Sequence, residues 1–500
     1  MSRAGRGVAL ATVLGLALAT AACTGGRRAR EAGTTTTASS RSLPPTTVTA
    51  PSGPAGEEPA VDLTADEHPR GGSARVGVTF APDPTAPTLG GAAVRALVLP
   101  QLFAARPDGR WAPMLVAPGS DRTADDRTSA TLRFRPGSAW SDGTPVTADD
   151  LRRSADGRFV AGVDGPATDG TLTIRFTQPL PGWRRLWSGA DSIAPPAPGV
   201  WGGPFVVSAT TPGLETVLAR NPGWRGPGPF LDEVRLVLVP DATTQRQLLT
   251  GGQLDVIAPP AATVRTDELR AVPGATVAVA QRSGWWVGLL LNGDRLDDAR
   301  RAALVASVPR DQFVDTLLQG EGVRLDGFAS PEDAAWTAPA PTDTAALKST
   351  TVDLVGTSEE PMTWLLHRAM QKAARAAGGT LELRQAEDDR VEGWLRERSY
   401  AAAIVPEYDA PVVCWTCRWG TVDAALAARA DAGDAAAAVT LEGVLRDRML
   451  VRPLWRSFTA VAWRDAGPTP PTPGAGRLGG VAANGYGLSA AWNAWLWWRA

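Results

Sequence analysis

The stretch "TVDLVGTSEEPMTWLLHRAMQKAARAAGGTLELR", residues 351–384, decides the fold class. TVDLVG reads as a strand. PMTWLLHRAMQKAARAAGG reads as a helix, with Pro361 near its first position and Gly378 and Gly379 at its stop. TLELR is a second strand, DDRVEGWLRER at 388–398 a second helix, and AAAIV at 401–405 a third strand. Three strands alternating with two helices argue for a parallel sheet covered by helices. His367 lies inside the first of these helices, where a structural role is expected rather than a ligand role.

The same alternation extends outward. Towards the N-terminus, ARVGVTF (74–80), TLTIRF (171–176), LDEVRLVLVP (231–240) and SGWWVGLLLN (283–292) read as strands. VRALVLPQLF at 94–103 reads as a helix followed by a turn. Asp241 is placed to cap ATTQRQLLTGG. DDARRAALVASV (297–308) and RDQFVDTLLQG (310–320) read as amphipathic helices, with Gly320 as a stop. Two more helices are expected across 422–450, then one strand in PLWRSFTAVAWR at 453–464. No internal repeat is present. LRFRPGSAWSDGTPVTADDLRRS at 132–154 carries a paired Asp149-Asp150. Its spacing reads as strand, Asp142-Gly143 turn and helix start, with Thr147 and Asp150 forming a capping box. Scaffold rather than catalysis is the expected role.

The 500 residues suffice for about two to four domains. Hydrophobic residues make up 44% and charged residues 20%, so a large core is possible. A net charge of −2 gives no reason to expect nucleic acid as a partner. Arg3 and Arg6 precede an apolar run at 8–19, too short to cross a bilayer of ~30 Å, and LATAAC then ends at Cys23. This resembles a bacterial lipoprotein signal, which implies that Cys23 becomes the lipidated first residue; an ordinary secretory signal is the alternative. No later segment offers ~18 apolar residues in a row. Residues 24–72, rich in Thr, Ser and Pro, hold too few large apolar side chains for a core and read as a disordered tether. Cys414 and Cys417 in CWTC suit a local disulfide outside the cytoplasm. Half a metal site and a redox motif are the alternatives. With only His68 and His367 in the chain, zinc lacks ligands, and a redox pair would want a helix N-terminus after a strand.

Four blocks, in order, carry a family resemblance. SDGTPVTADD (141–150), GGPFVVSATTPGLETVLARNPGWRG (202–226), LDEVRLVLVPDATTQRQLLTGGQLDV (231–256) and the run from Gly288 to Gly322 resemble the family 5 extracellular solute-binding proteins. Those proteins serve ABC importers of dipeptides, oligopeptides and related solutes. The resemblance implies an α/β, two-lobed periplasmic-binding-protein-like fold (type II, cluster C) with an extra domain inserted in the first lobe. Lobe one would combine 73–90, 200–285 and 481–500; the extra domain would be 91–199, and lobe two 286–480.

The implied function is extracytoplasmic capture of a peptide or small solute by hinge closure and delivery to an ABC permease. The protein would be a lipid-anchored monomer with no cofactor, metal or catalytic residue. The family's ammonium-binding Asp lies in a D-Y-x-x-P-like segment, which aligns here with Glu407-Tyr408-Asp409-Ala410-Pro411. Glu407 or Asp409 is therefore the ammonium candidate, beside Tyr408. The 19 Trp against 3 Tyr invite pocket roles too, with Trp415, Trp419, Trp285 and Trp286 as candidates. A ligand-sensing lipoprotein without transport is the main alternative. A secreted hydrolase has less support, since neither G-x-S-x-G nor H-E-x-x-H occurs.

Overall fold

The computed structural model describes residues 68–499. It leaves out 87, 107–110, 158, 181, 190–191, 261–262, 281–284, 326–342, 358–360, 387, 409–414, 420, 433, 465–477 and 483–490. Cys23, most of the tether, Asp409 and Cys414 thus lie outside the described residues. So do the side chains of Trp285, Glu407, Tyr408 and Cys417, whose backbone is described.

One sheet has seven strands, in the spatial order Ala275–Ala280, Thr459–Arg464, Val256–Ile257, Ser73–Val78, Glu233–Leu238, Glu215–Arg220 and Phe205–Thr211. Ser73–Val78 lies parallel to both Glu233–Leu238 and Val256–Ile257. Its alternation is strict. Ala74, Val76 and Val78 enter a core with Val94 and Leu97 of the helix Leu89–Val98. Gly77 faces the other layer, where an added Cβ would stand 2.8 Å from Leu254 Cδ1. Asp241 caps the helix Ala242–Thr250 as its spacing predicts, accepting the Thr244 N–H at 2.7 Å.

The second large sheet has six strands, ordered Gly322–Arg324, Val451–Ser457, Trp285–Leu291, Ala402–Tyr408, Thr351–Thr357 and Thr380–Ala386. The expected alternation is here: Thr351–Thr357 pairs in parallel with both Thr380–Ala386 and Ala402–Tyr408. The helices Pro361–Ala376 and Asp388–Arg396 connect them. Parallel strands bury both faces. Leu289, Leu354 and Ile404 pack against Leu366 and Met370 on one side. Trp286, Leu290 and Val405 pack against Val391, Leu395 and Leu441 on the other.

A four-stranded sheet, Arg122–Thr123, Ser129–Leu132, Leu172–Phe176 and Val160–Asp164, has its own core around Trp140, Leu151, Ile174 and Trp183. Residues 132–154 build it. Thr144 N–H donates to Asp142 Oδ1 at 2.9 Å, and the Thr147–Asp150 capping box opens the helix Ala148–Arg153. Burial alone would raise the Asp150 carboxyl; donors from Thr147, Arg153 and Trp140 outweigh it and hold the group below its usual value. Asp150 is tied into this helix start, while exposed Asp149 pairs with Arg152.

The chain crosses between the large sheets twice. It leaves Ala280 and re-enters at Trp285, then passes from Ser457 through the single residue Phe458 to Thr459. The sequence predicts one strand over 453–464 inside a second lobe reaching to 480. Instead Thr459–Arg464 pairs with Ala275–Ala280 in the seven-stranded sheet. No Gly or Pro marks the break, so the apolar run reads as continuous; only its pairing partners divide it.

His367 is fully buried, its ring packed on Gly356, where an added Cβ would stand 2.1 Å from His367 Cε1. Burial pushes its pKa down to about 4, against a smaller opposing pull from the Val355 backbone. The folded chain therefore keeps the ring neutral, while the unfolded chain takes up a proton below about pH 6.5. Stability is complete above that value and falls as pH drops towards 4, by up to about 3 kcal/mol from this group. Urea unfolding at pH 7.5 and 4.5 is expected to show a steeper loss for the wild type than for His367→Leu.

Candidate functional site

Strand register locates the site. In the six-stranded sheet, Ala402–Tyr408 pairs with Thr351–Thr357 up to Gly356 opposite Ile404. Pro406, Glu407 and Tyr408 continue past that point, paired with Val287, Trp286 and Trp285. The carboxyl ends of the parallel strands thus lie at the end where Trp285 enters, Ser457 leaves and Gly322 begins. In the seven-stranded sheet, Thr459 pairs with Ala280, beyond the point where Ile257 pairs with Ala462. The carboxyl ends of Ser73–Val78, Glu233–Leu238 and Val256–Ile257 therefore also point to the crossover end. Open α/β sheets bind ligands at the carboxyl ends of their strands. Here two such ends meet at one double crossover.

The loop after Val78 is pinned at this end. Thr85 donates to Asp83 through its N–H at 2.8 Å and its hydroxyl at 2.7 Å. The hydroxyl bond and the N–H bond together hold the Asp83 carboxyl below its ordinary value. Arg95 Nη1 donates to the Ala86 carbonyl at 2.6 Å, and the Thr216 hydroxyl donates to the Pro82 carbonyl. Beneath the loop, buried Gln245 donates through Nε2 to the Val239 carbonyl at 2.7 Å and to Thr79 Oγ1 at 3.3 Å. The loop is preorganised by side chains outside it, and sequence reading did not pick it out; its one local signal is the Asp-x-Thr turn.

The proposed aromatic lining divides. Trp286, Trp415 and Trp419 are buried together in the core beneath the six-stranded sheet. Strand alternation and the helix Trp415–Trp419 turn them onto that core. Glu407 and Tyr408 have their backbone at the crossover end, opposite Trp286 and Trp285. Asp431 is the residue the sequence did not reveal. Its buried carboxylate accepts the N–H groups of Trp415 at 2.6 Å and Thr416 at 2.9 Å, and also the Thr416 hydroxyl. It caps the helix Trp415–Trp419 from 15 residues away, so no local pattern announces it.

Two α/β bodies, doubly connected and with their strand ends facing the junction, define a two-lobed binding-protein fold. Solved structures agree. The oligopeptide-binding protein AppA of Bacillus subtilis, in complex with a nonapeptide, superposes with a TM-score of 0.68 at 14% identity, covering 87% of this chain and 100% of that one. AgaA of A. tumefaciens R10, in complex with agropinic acid, gives a TM-score of 0.69 at 16% identity, covering 86% and 99%. The chain belongs to the bacterial extracellular solute-binding proteins, family 5, whose middle-region model matches residues 111–376. The oligopeptide-binding protein OppA of Mycobacterium tuberculosis is 28% identical over 265 residues, 44% of this chain and 43% of that protein. The chain thus aligns with somewhat under half the length of that relative.

Asp431→Ala removes the carboxylate that accepts the N–H groups of Trp415 and Thr416 and the Thr416 hydroxyl. It is expected to lower unfolding free energy by about 2 kcal/mol in urea with an unchanged slope, and Asp431→Asn by less.

Proposed function

We propose that this protein is the extracytoplasmic solute-binding component of an ABC importer. It captures a peptide or a related small solute between its lobes by hinge closure, delivers it to a permease, and is held to the membrane by a lipid on Cys23. The observation that carries this reading is the meeting of both sets of parallel-strand carboxyl ends at the double crossover. A solute lying there touches both halves, so it binds better when they close and shifts the population towards closure. The names of the relatives, one oligopeptide-binding and one in complex with agropinic acid, support a small polar solute while leaving its class broad.

Within that site Glu407 or Asp409 receives the ligand's ammonium, because a cation leaving water needs a partner charge. Tyr408 and Trp285, whose backbones pair with each other at the crossover end, are the aromatic candidates for contact with the solute. A Cys414–Cys417 disulfide would brace the segment just after Tyr408, next to the helix that Asp431 caps. The protein works as a monomer, without cofactor, catalysis or nucleic acid.

The test is mass spectrometry of small molecules released from the purified protein, followed by calorimetric titration of what is found. For a ligand with a free ammonium, Glu407→Gln or Asp409→Asn is expected to weaken binding about 10- to 100-fold. If both variants bind as tightly as the wild type, the ammonium assignment fails. In cells, Cys23→Ala is expected to move the protein from the detergent-partitioned membrane fraction to the soluble one; unchanged partitioning argues against the anchor.

A further inference from the structure

The helix Thr266–Arg270 belongs to the seven-stranded half, with Leu269 buried in its core. Its N-cap residue is Arg265, which provides no side-chain hydrogen bond to it. A group from the other half does so instead. Thr266 N–H donates to Glu321 Oε1 at 2.5 Å. Glu321 leads directly into the edge strand Gly322–Arg324 of the six-stranded sheet, which pairs with residues 455–457. Its carbonyl also accepts the N–H of Phe458, the residue that carries the chain between the sheets, at 2.7 Å. One residue therefore holds the crossover through its backbone and the opposite half through its carboxylate.

This arrangement is sensitive to the angle between the halves. A carboxylate suits the positive end of a helix, and charged hydrogen bonds are short and directional. Any turn about Phe458 moves the Glu321 carboxylate, carried by one half, against Thr266, carried by the other. Hydrogen bonds of this kind weaken beyond a few tenths of an ångström. The contact therefore stabilises one interlobe angle over others, and a difference of that sort is what sets a two-state population. We propose that Glu321 is an interlobe latch, supplying across the junction the N-cap that Thr266–Arg270 lacks and holding the lobes at the angle seen here before any solute binds. The inference rests on the two-lobed architecture and does not depend on which solute is captured.

The test uses the full chain without ligand, with spin labels on genetically encoded residues at exposed positions 214 and 439, one in each half, which are 62% and 42% exposed. Pulsed dipolar spectroscopy then gives the distribution of distances between the halves. Glu321→Ala is expected to change the ratio of the main distance to its alternatives about tenfold. Glu321→Gln, which keeps an acceptor but loses the charge, is expected to change it less. Thr266→Pro removes the donor instead. Proline is tolerated at a first helical position, and Arg265 at φ −73°, ψ 148° has the backbone that a residue before proline adopts. This variant is expected to reproduce Glu321→Ala, and the double variant to go no further than either alone. Distributions unchanged in Glu321→Ala and Thr266→Pro, or effects that add in the double variant, would overturn the latch.

Discussion

The placement of the junction between the two large sheets follows from the needs of their parallel β-strands. Such strands bury both faces and require a covered connection between each pair, so their carboxyl ends gather on one side. In this chain Thr351–Thr357 and Ala402–Tyr408 end on one such side, and Ser73–Val78 and Glu233–Leu238 end on another. The two sides meet because, among the described residues, the chain leaves the seven-stranded sheet at Ala280, enters the six-stranded one at Trp285, and returns through Phe458. The junction where these strand ends face each other is thus a product of topology before any particular side chain is considered.

The cores explain the unusual tryptophan content. Trp183, Trp455, Trp495 and Trp497 are almost wholly buried, each in a different packing role. Trp183 lies beneath Arg184, whose guanidinium sits 5.2 Å from its ring and pairs with the buried Asp121 at 2.6 Å. Trp455 stacks on Phe313 at 5.7 Å. Bulky rings fill space between layers that alanine-rich helices cannot fill alone. The abundance of tryptophan is therefore mainly a statement about packing.

The parts legible in the sequence were those with local signals. The series at 351–405, the Asp241 cap, the Asp142 turn and the Thr147–Asp150 capping box all depend on residues within a few positions of each other. What escaped was set at long range. The division of 453–464 into strands of two sheets depends on which partners pair with it, and no residue at Ser457 or Phe458 announces it. Asp431 and Glu321 each cap a short helix far from themselves in the chain, so a scan for capping residues next to those helices finds neither. The orientation of Trp286 was partly legible, because alternation in Trp285–Leu291 must send one neighbour inward.

One pair of contacts gathers both ends of the described chain. The His68 ring stacks on Trp498 at 4.9 Å, and Arg499 Nε donates to the Ser73 carbonyl at 2.7 Å. Both belong to the half built on the seven-stranded sheet. Both termini of the described chain are thus fastened to one half, and the six-stranded half takes no part in holding either.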